Sequence, residues 1–443
     1  MTSQNPLFSY DSLRSVIGYL DPLVRLQIST HCPSLHNLTR IVPMKIKNLR
    51  ITRSDFKINS TTYKIGIIRK YINRKNPKIV EEENTQGGYQ FDTDSYGIRR
   101  NQRIVMPNVS EIGKAESDLE ETLRLIGYFS TNRLHANRND LRKLDRDVDT
   151  IEMKLDIYRA MLEIAGLPFT MRVQLLIIPD DGPRKIQYLV YNKTLQEVKD
   201  SWMIKLFGTN IPIHVKNMNV GEGYVLDPVD LGSIVSFERV WGPEYFLKSS
   251  YFPLETSKLK VSNLSIHPDI LETLNAIRPV LDGSPLKIIK VDIYRIIPDD
   301  PIIQTSKLLN LSGYSNLGIL RGFSNERIHL EMCIFTEEEV GDMIKHWHRI
   351  GIKIGTNISI GFHYNHNAKK LLNSFRGLIG ARRTDWKELR STTFPECVVL
   401  PIGDHSELHV YCETPKSQDT EYCKTEWIVR IKIQEKGFSD NLV

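Results

Sequence analysis

The chain has 443 residues, 40 % of them hydrophobic and 25 % charged, with a formal net charge of +6. This is the composition of a folded globular protein too long for one ordinary core; it excludes long disorder and leads us to expect two or three domains. Five scattered cysteines, an odd number, exclude a disulfide framework and point to a reducing compartment.

The opening residues carry no basic start followed by an apolar core, and no apolar run approaches the length of a membrane span. A cytoplasmic or nuclear protein is therefore expected. Residues 6–42 read as three short helices. Leu13, Val16, Ile17 and Leu20 recur at the spacing of one apolar helix face. Asp21-Pro22 supplies an N-cap followed by proline at the first helical position, with Leu23, Leu26 and Ile28 after it. Pro33 opens a third helix carrying Leu35, Leu38 and Ile41, and Pro43 stops it. A piece this small buries too little surface to stand alone, so it must dock on the chain or lie against a partner.

Residues 43–133 read as a basic strand and loop region with a short helix. From Lys45 to Lys78 eleven Lys and Arg stand against one acid, Asp55, in strand-like alternation. Only Phe56, Tyr63 and Tyr71 are nearby, so the run lacks the interleaved aromatics of a stacking platform. It reads as a solvated strand face, and nucleic acid is not expected as a partner. Over 134–166, Leu141, Leu144, Val148, Ile151, Leu155, Tyr158, Leu162 and Ala165 alternate three and four apart, a narrow seam on one long helix. Gly166 and Pro168 end it. The seam is expected to pack on the following domain and the chain to be a monomer.

Over 167–435 strands and helices alternate. Tyr188–Tyr191, Ile211–Val220, Lys258–Ile266, Leu286–Ile293, Ile328–Phe335 and Ile358–Phe362 read as strands. Leu195–Phe207, Pro268–Ala276 and Thr336–Arg349 read as helices, the last opened by a Thr336/Glu339 capping box. Pro43–Ile51, Pro212–Val220 and Leu259–Ile266 each set alternating apolar residues around an asparagine, the strand-plus-Asn-turn arrangement of leucine-rich-repeat-like solenoids. The fold class expected is therefore α/β (α+β): a three-helix module, a long helix, then an LRR-like strand–helix stack. In such a stack the open strand face recognises the ligand. Lys47, Lys216 and Lys260, with Lys45, fall on its polar side, which suits a target with an acidic surface.

Chemistry is not legible. No Gly-x-x-x-x-Gly-Lys loop and no Gly-x-Gly-x-x-Gly after a strand occurs. His346 and His348 are two apart on a helix and cannot clamp one metal, and Cys412 and Cys423 lack a matching pair. Glu337, Glu338 and Glu339 occupy a first helical turn, where acids suit the macrodipole. Cys32, ahead of Pro33, reads as a packed small side chain. No catalytic residue, cofactor or metal is assigned.

Pro6-Leu7, the Leu13/Val16/Ile17/Leu20 face, the Leu20-Asp21-Pro22 corner and Cys32-Pro33-Ser34-Leu35 resemble a degenerate F-box, the docking element for the Skp-type adaptor of cullin–RING ubiquitin ligases. The remainder, in Pro43–Ile51, Tyr191–Leu195, Lys205–Gly208 and Pro212–Met218, is similar to the F-box-associated domain of the nematode F-box C proteins. The resemblance implies adaptor contacts at Pro6, Leu7, Leu13, Val16, Ile17, Leu20, Pro22, Leu26, Cys32 and Leu35, with a cullin reached through the adaptor. It also implies a non-catalytic, SCF-type substrate-recognition subunit that holds an unknown protein target on residues 167–435. Two other readings stay open: an interaction scaffold without a ligase role, and an enzyme with a dispersed site.

Overall fold

Three helices lead the chain, α1 (Tyr10–Tyr19), α2 (Pro22–His31) and α3 (Pro33–Ile41). The computed structural model describes residues 9–52, 55–98, 100, 107–131, 138–162, 164–207, 211–221, 258–267, 270–292, 297–315, 317–385, 396–417 and 419–438. The capping is that expected from the sequence: the Asp21 carboxylate accepts from Leu23 N, Pro22 follows it, and Pro33 opens α3. The guanidinium of Arg25, on α2, is buried and donates to the carbonyls of Thr39 and Val42, so it ties α2 to the end of α3. Burial lowers its pKa to about 10.

From Pro43 the chain enters a sheet to which the described residues contribute fifteen strands: β1 (Met44–Ile51), β2 (Asp55–Ile58), β3 (Thr61–Tyr71), β4 (Phe169–Pro179), β5 (Lys185–Val190), β6 (Ile213–Val220), β7 (Leu259–Ile266), β8 (Ile288–Asp292), β9 (Leu308–Ser315), β10 (Arg327–Cys333), β11 (Asn357–Phe362), β12 (Arg382–Asp385), β13 (Glu396–Ile402), β14 (Ser406–Glu413) and β15 (Trp427–Glu435). Its spatial order is β12-β13-β14-β15-β11-β10-β9-β8-β7-β6-β1-β2-β3-β4-β5. The seven strands from β1 through β6 to β11 are parallel, and each outer wing is antiparallel. The fold is mixed α/β, as expected. Segments 43–133 and 167–435, set apart in the sequence reading, meet in this one sheet: β1 pairs with β6, and β3 with β4.

Helices α7 (Leu195–Phe207), α8 (Ile270–Ile277), α10 (Glu337–Ile350) and α11 (Asn365–Arg376) join the parallel strands in a single apolar cluster running from Met44 to Ile433; the short α9 (Pro301–Gln304) adds Ile303. Parallel strands need such crossovers, which cover one face of the sheet. Helix α10 begins with the expected Thr336/Glu339 capping box, and α7 spans the residues expected of it. The opposite face of the sheet carries no comparable helical layer among the described residues. Its buried apolar residues form small clusters, one of Ile288, Leu308, Tyr422, Cys423 and Ile428 and another of Cys397, Val399 and Tyr411.

The region expected to be strand, loop and a short helix holds α4 (Lys78–Gln86) and also the 23-residue α5 (Val109–Thr131). Asn108 and Glu111 cap α5 reciprocally, each backbone N–H donating to the other's side chain. The expected long helix is α6 (Arg138–Met161). Ile151 and Leu155 of its seam pack on Ile112 and Ala115 of α5, while Ile157 and Met161 pack on Tyr71, Ile79, Val80 and Phe169. Its partner surfaces are thus an unforeseen helix and the β3–β4 wing.

Candidate functional site

The N-terminal module divides its apolar residues. Ile17, Leu38 and Val42 form a small buried core, with Leu13, Leu20 and Leu35 half-buried against it. Pro22 is buried, and Leu26, with Leu23, packs on the main core of the sheet. The face expected to stay open at Leu13, Ile17, Leu20 and Leu26 is thus largely covered, because two of its members are needed to hold the helices together and to the sheet. Val16 (49 % exposed), Val24 on α2 and Ile41 on α3 remain in solvent, as does Cys32. Pro6 and Leu7 lie outside the described residues.

The uncovered sheet face begins at β1, β6 and β7. Strict alternation would bury every second residue, yet the buried positions on β1 are Met44, Ile46, Leu49 and Ile51, and β6 and β7 repeat the pattern. Each strand shifts phase once, and the inter-strand pairing is interrupted there, between Ile46 and Asn48 and between Val215 and Asn217. Two consecutive residues therefore turn outward: Lys47 and Asn48, Lys216 and Asn217, Ser262 and Asn263. The backbone N–H groups freed at the β1 bend donate to Asn59 Oδ1, at 2.9 Å for Lys47 and 3.1 Å for Asn48. Asn59 stands at φ 50° in the left-handed region, which asparagine tolerates.

Parallel register stacks the three asparagines. Asn217 Nδ2 donates to Asn48 Oδ1 at 2.9 Å, and Asn263 Nδ2 donates to Asn217 Oδ1 at 2.9 Å. β1, β6 and β7 hold Lys45, Lys47, Arg50, Lys216 and Lys260 and no acid. Lys47, Lys216 and Lys260 are all exposed on this one face, Lys47 and Lys216 at the equivalent bend position of adjacent strands. Lys45 Nζ donates to Tyr19 Oη of α1 at 3.0 Å and sits over that ring, so the module borders the face.

The β14–β15 connection, described at 414–417 and 419–426, crosses the same face over β8 to β10. Tyr422 O accepts from Asn310 Nδ2 at 2.8 Å, and Lys424 N donates to Glu331 Oε1 at 2.8 Å. Asp419 receives Tyr422 Oη, Lys416 N at 2.9 Å and Arg430 Nη2 at 2.6 Å, and Arg430 also bonds Glu413. Burial opposes the Asp419 charge, but these donors outweigh it and hold its pKa below the usual carboxylate value. Beneath lies His329, wholly buried, its Nδ1 2.9 Å from Ser359 Oγ and its ring against Tyr422. Burial lowers its pKa even though the Glu331 carboxylate pulls the other way.

Between this crossing segment and β6 is a groove of about 320 Å³ lined in part by Lys216, Asn217, Asn263, Ser265, Lys290 and Glu421. Glu421 reaches in from the segment: Lys287 Nζ donates to it at 2.8 Å and Asn263 Nδ2 at 3.0 Å. The Lys287 and Asn263 donors, in that order, hold its pKa below the ordinary glutamate value. Sequence reasoning found the lysines and asparagines by their recurrence. It missed Glu421, Lys287 and Lys290, because no local pattern announces a segment that returns from the far wing of the sheet.

Among the described residues no group of three or more His, Cys, Asp or Glu side chains could hold a metal ion, and no described helix is long and apolar enough to cross a membrane. Residues 250–363, which include β7 to β11, match a family model described as a domain of unknown function, DUF3557. No curated protein and no solved structure matches the chain.

Proposed function

We propose that this chain is a non-catalytic recognition subunit: its N-terminal module engages a Skp-type adaptor of a cullin–RING ubiquitin ligase, and its open strand face holds a protein target. The observation that carries the reading is the set of strands β1, β6 and β7, which carry no acid of their own, with Lys47, Lys216 and Lys260 exposed beside a module that leaves Val16, Val24 and Ile41 in solvent. Apolar side chains left exposed on a piece this small suit a protein partner. The resemblance to F-box C proteins supplies the identity of the adaptor, and the target's identity stays open.

A specific observation favours a second reading. Half-burial of Leu13, Leu20 and Leu26 suits a module that merely caps its own sheet, which would make the chain an interaction scaffold with no ligase role. Co-purification separates the two. Charges placed by Val16→Asp together with Val24→Asp touch no core, so the fold should survive. Under the ligase reading the paired change abolishes recovery of a Skp-type adaptor with the full chain while the melting temperature holds. Equal recovery from variant and wild type sinks that reading and leaves the scaffold.

A further inference from the structure

We propose that the groove beside Lys216 is a carboxylate-recognition site for an acidic polypeptide segment, and that Glu421 is its built-in competitor. The inference rests on the strand face being the target surface. What it adds is the chemistry of the target and the device that regulates access to it.

The fold already shows how this face holds a carboxylate. Lys287 and Asn263 each donate to one oxygen of Glu421, at 2.8 Å and 3.0 Å, so both oxygens are engaged. Asn263 is also the last rung of the asparagine ladder from Asn48, which fixes its amide toward the groove. Lys216 stands on the opposite lip, exposed, with no ion pair among the described residues. Lys47 repeats its position on the next strand, and Lys260 lies two residues before the bend of β7. A chain laid across these strands therefore meets cationic amines in succession, with hydrogen-bonding amides between them. Acidic side chains satisfy both.

Glu421 is placed to give way. Its neighbours Asp419 and Tyr422 are buried and anchored by Arg430, Lys416 and Asn310, whereas its own side chain is one-third exposed. Side-chain rotation alone frees Lys287 and Asn263 without lifting the segment. An incoming glutamate or aspartate then takes the same donors and pairs directly with Lys216, which acts on Glu421 only through space. Among the described residues no aromatic side chain lines the groove for bases to stack on, which favours a polypeptide over a nucleic acid.

The test is fluorescence anisotropy on the full chain, with a labelled poly-glutamate peptide as probe and an oligothymidylate of matched charge as the comparison. The wild type should bind poly-glutamate with an affinity that falls as salt rises. Lys216→Glu should weaken it by about tenfold or more, since reversal sets like charges together. Glu421→Gln should tighten it several-fold by removing the competitor. Both positions are exposed, so melting temperatures should hold; should Lys216→Glu unfold, Lys216→Gln gives the same direction with a smaller loss. Poly-glutamate binding insensitive to both positions overturns the proposal, as does tighter binding of the oligothymidylate with the same dependence on Lys216. Adaptor recovery is read separately through Val16 and Val24, so this proposal and the ligase reading can fail independently.

Discussion

His329 is a histidine held in a place that disfavours a charge. It is wholly buried beneath the Tyr422 ring, and the charged groups that act on it are Glu331, Arg430 and Asp419. Burial dominates and lowers its folded-state pKa below the ordinary histidine value of 6.5. The unfolded chain therefore takes up this proton first as pH falls, and stability declines once pH drops below 6.5. Glu331 and Asp419 have depressed pKa values, so their stabilising contributions persist to lower pH and are lost below their ordinary values of 4.5 and 3.8. Thermal melts against pH should show two acid stages, and His329→Gln should remove the first and keep the second. Parallel curves for variant and wild type would assign the first stage to another group. Two glycines have equally local reasons. Gly221, at φ 105°, lets the end of β6 pass His267, whose carbonyl oxygen would lie 1.5 Å from an added Cβ. Gly361 gives the β14–β15 connection room, because a Cβ there would stand 2.3 Å from Thr425 Oγ1.

At the scale of elements, the α5–α6 hairpin shows what an apolar seam can and cannot specify. The periodicity of α6 stated that a stripe through Ile151 and Leu155 must be covered; a second copy, a sheet or a neighbouring helix could each have covered it. Within the chain α5 does so, and its arrival was signalled by Asn108 and Glu111 three residues apart, a capping box that the sequence reading did not single out. Leu155 is 3 % exposed. Truncating such a residue costs about 2–5 kcal/mol, and Leu155→Asp adds an unpaired charge. We expect Leu155→Asp to speed hydrogen exchange across Val109–Thr131 and to leave the parallel strands protected. The mass by light scattering should stay that of a monomer. A wild-type dimer that dissociates on this substitution would give the seam to self-association instead.

At the scale of the whole molecule, the N-terminal module is part of the sheet's core and not a pendant. Leu23 and Leu26 pack on the cluster that runs from Met44 to Ile433, and the chain passes from α3 into the interior strand β1, at the junction of the parallel block and the β2–β5 wing, with only Val42 and Pro43 between them. Removing residues 1–42 therefore uncovers apolar surface of the sheet's main core, worth about 1–2 kcal/mol for each leucine. The truncated chain should melt below the intact one and bind a hydrophobic dye more strongly. An unchanged melting temperature would mean that the module hinges freely.

The sequence by itself determined the elements whose signals are local. Capping residues at Asp21-Pro22 and Thr336/Glu339 fixed helix starts, and the recurring asparagine-centred strands announced three elements of one kind, since turns, caps and alternation act over a few residues. Only the tertiary structure decided what those elements meet. Ile17 is buried and Leu26 half-buried against the sheet's core, while Val16 and Val24, alike in sequence, are exposed, because burial depends on which surface arrives from elsewhere in the chain. Glu421 comes to Lys287 and Asn263 across 134 and 158 residues, and β1 pairs with β6 after the whole β2–β5 wing and α7. Contacts over such separations are set by sheet order and register, which no short window of residues encodes.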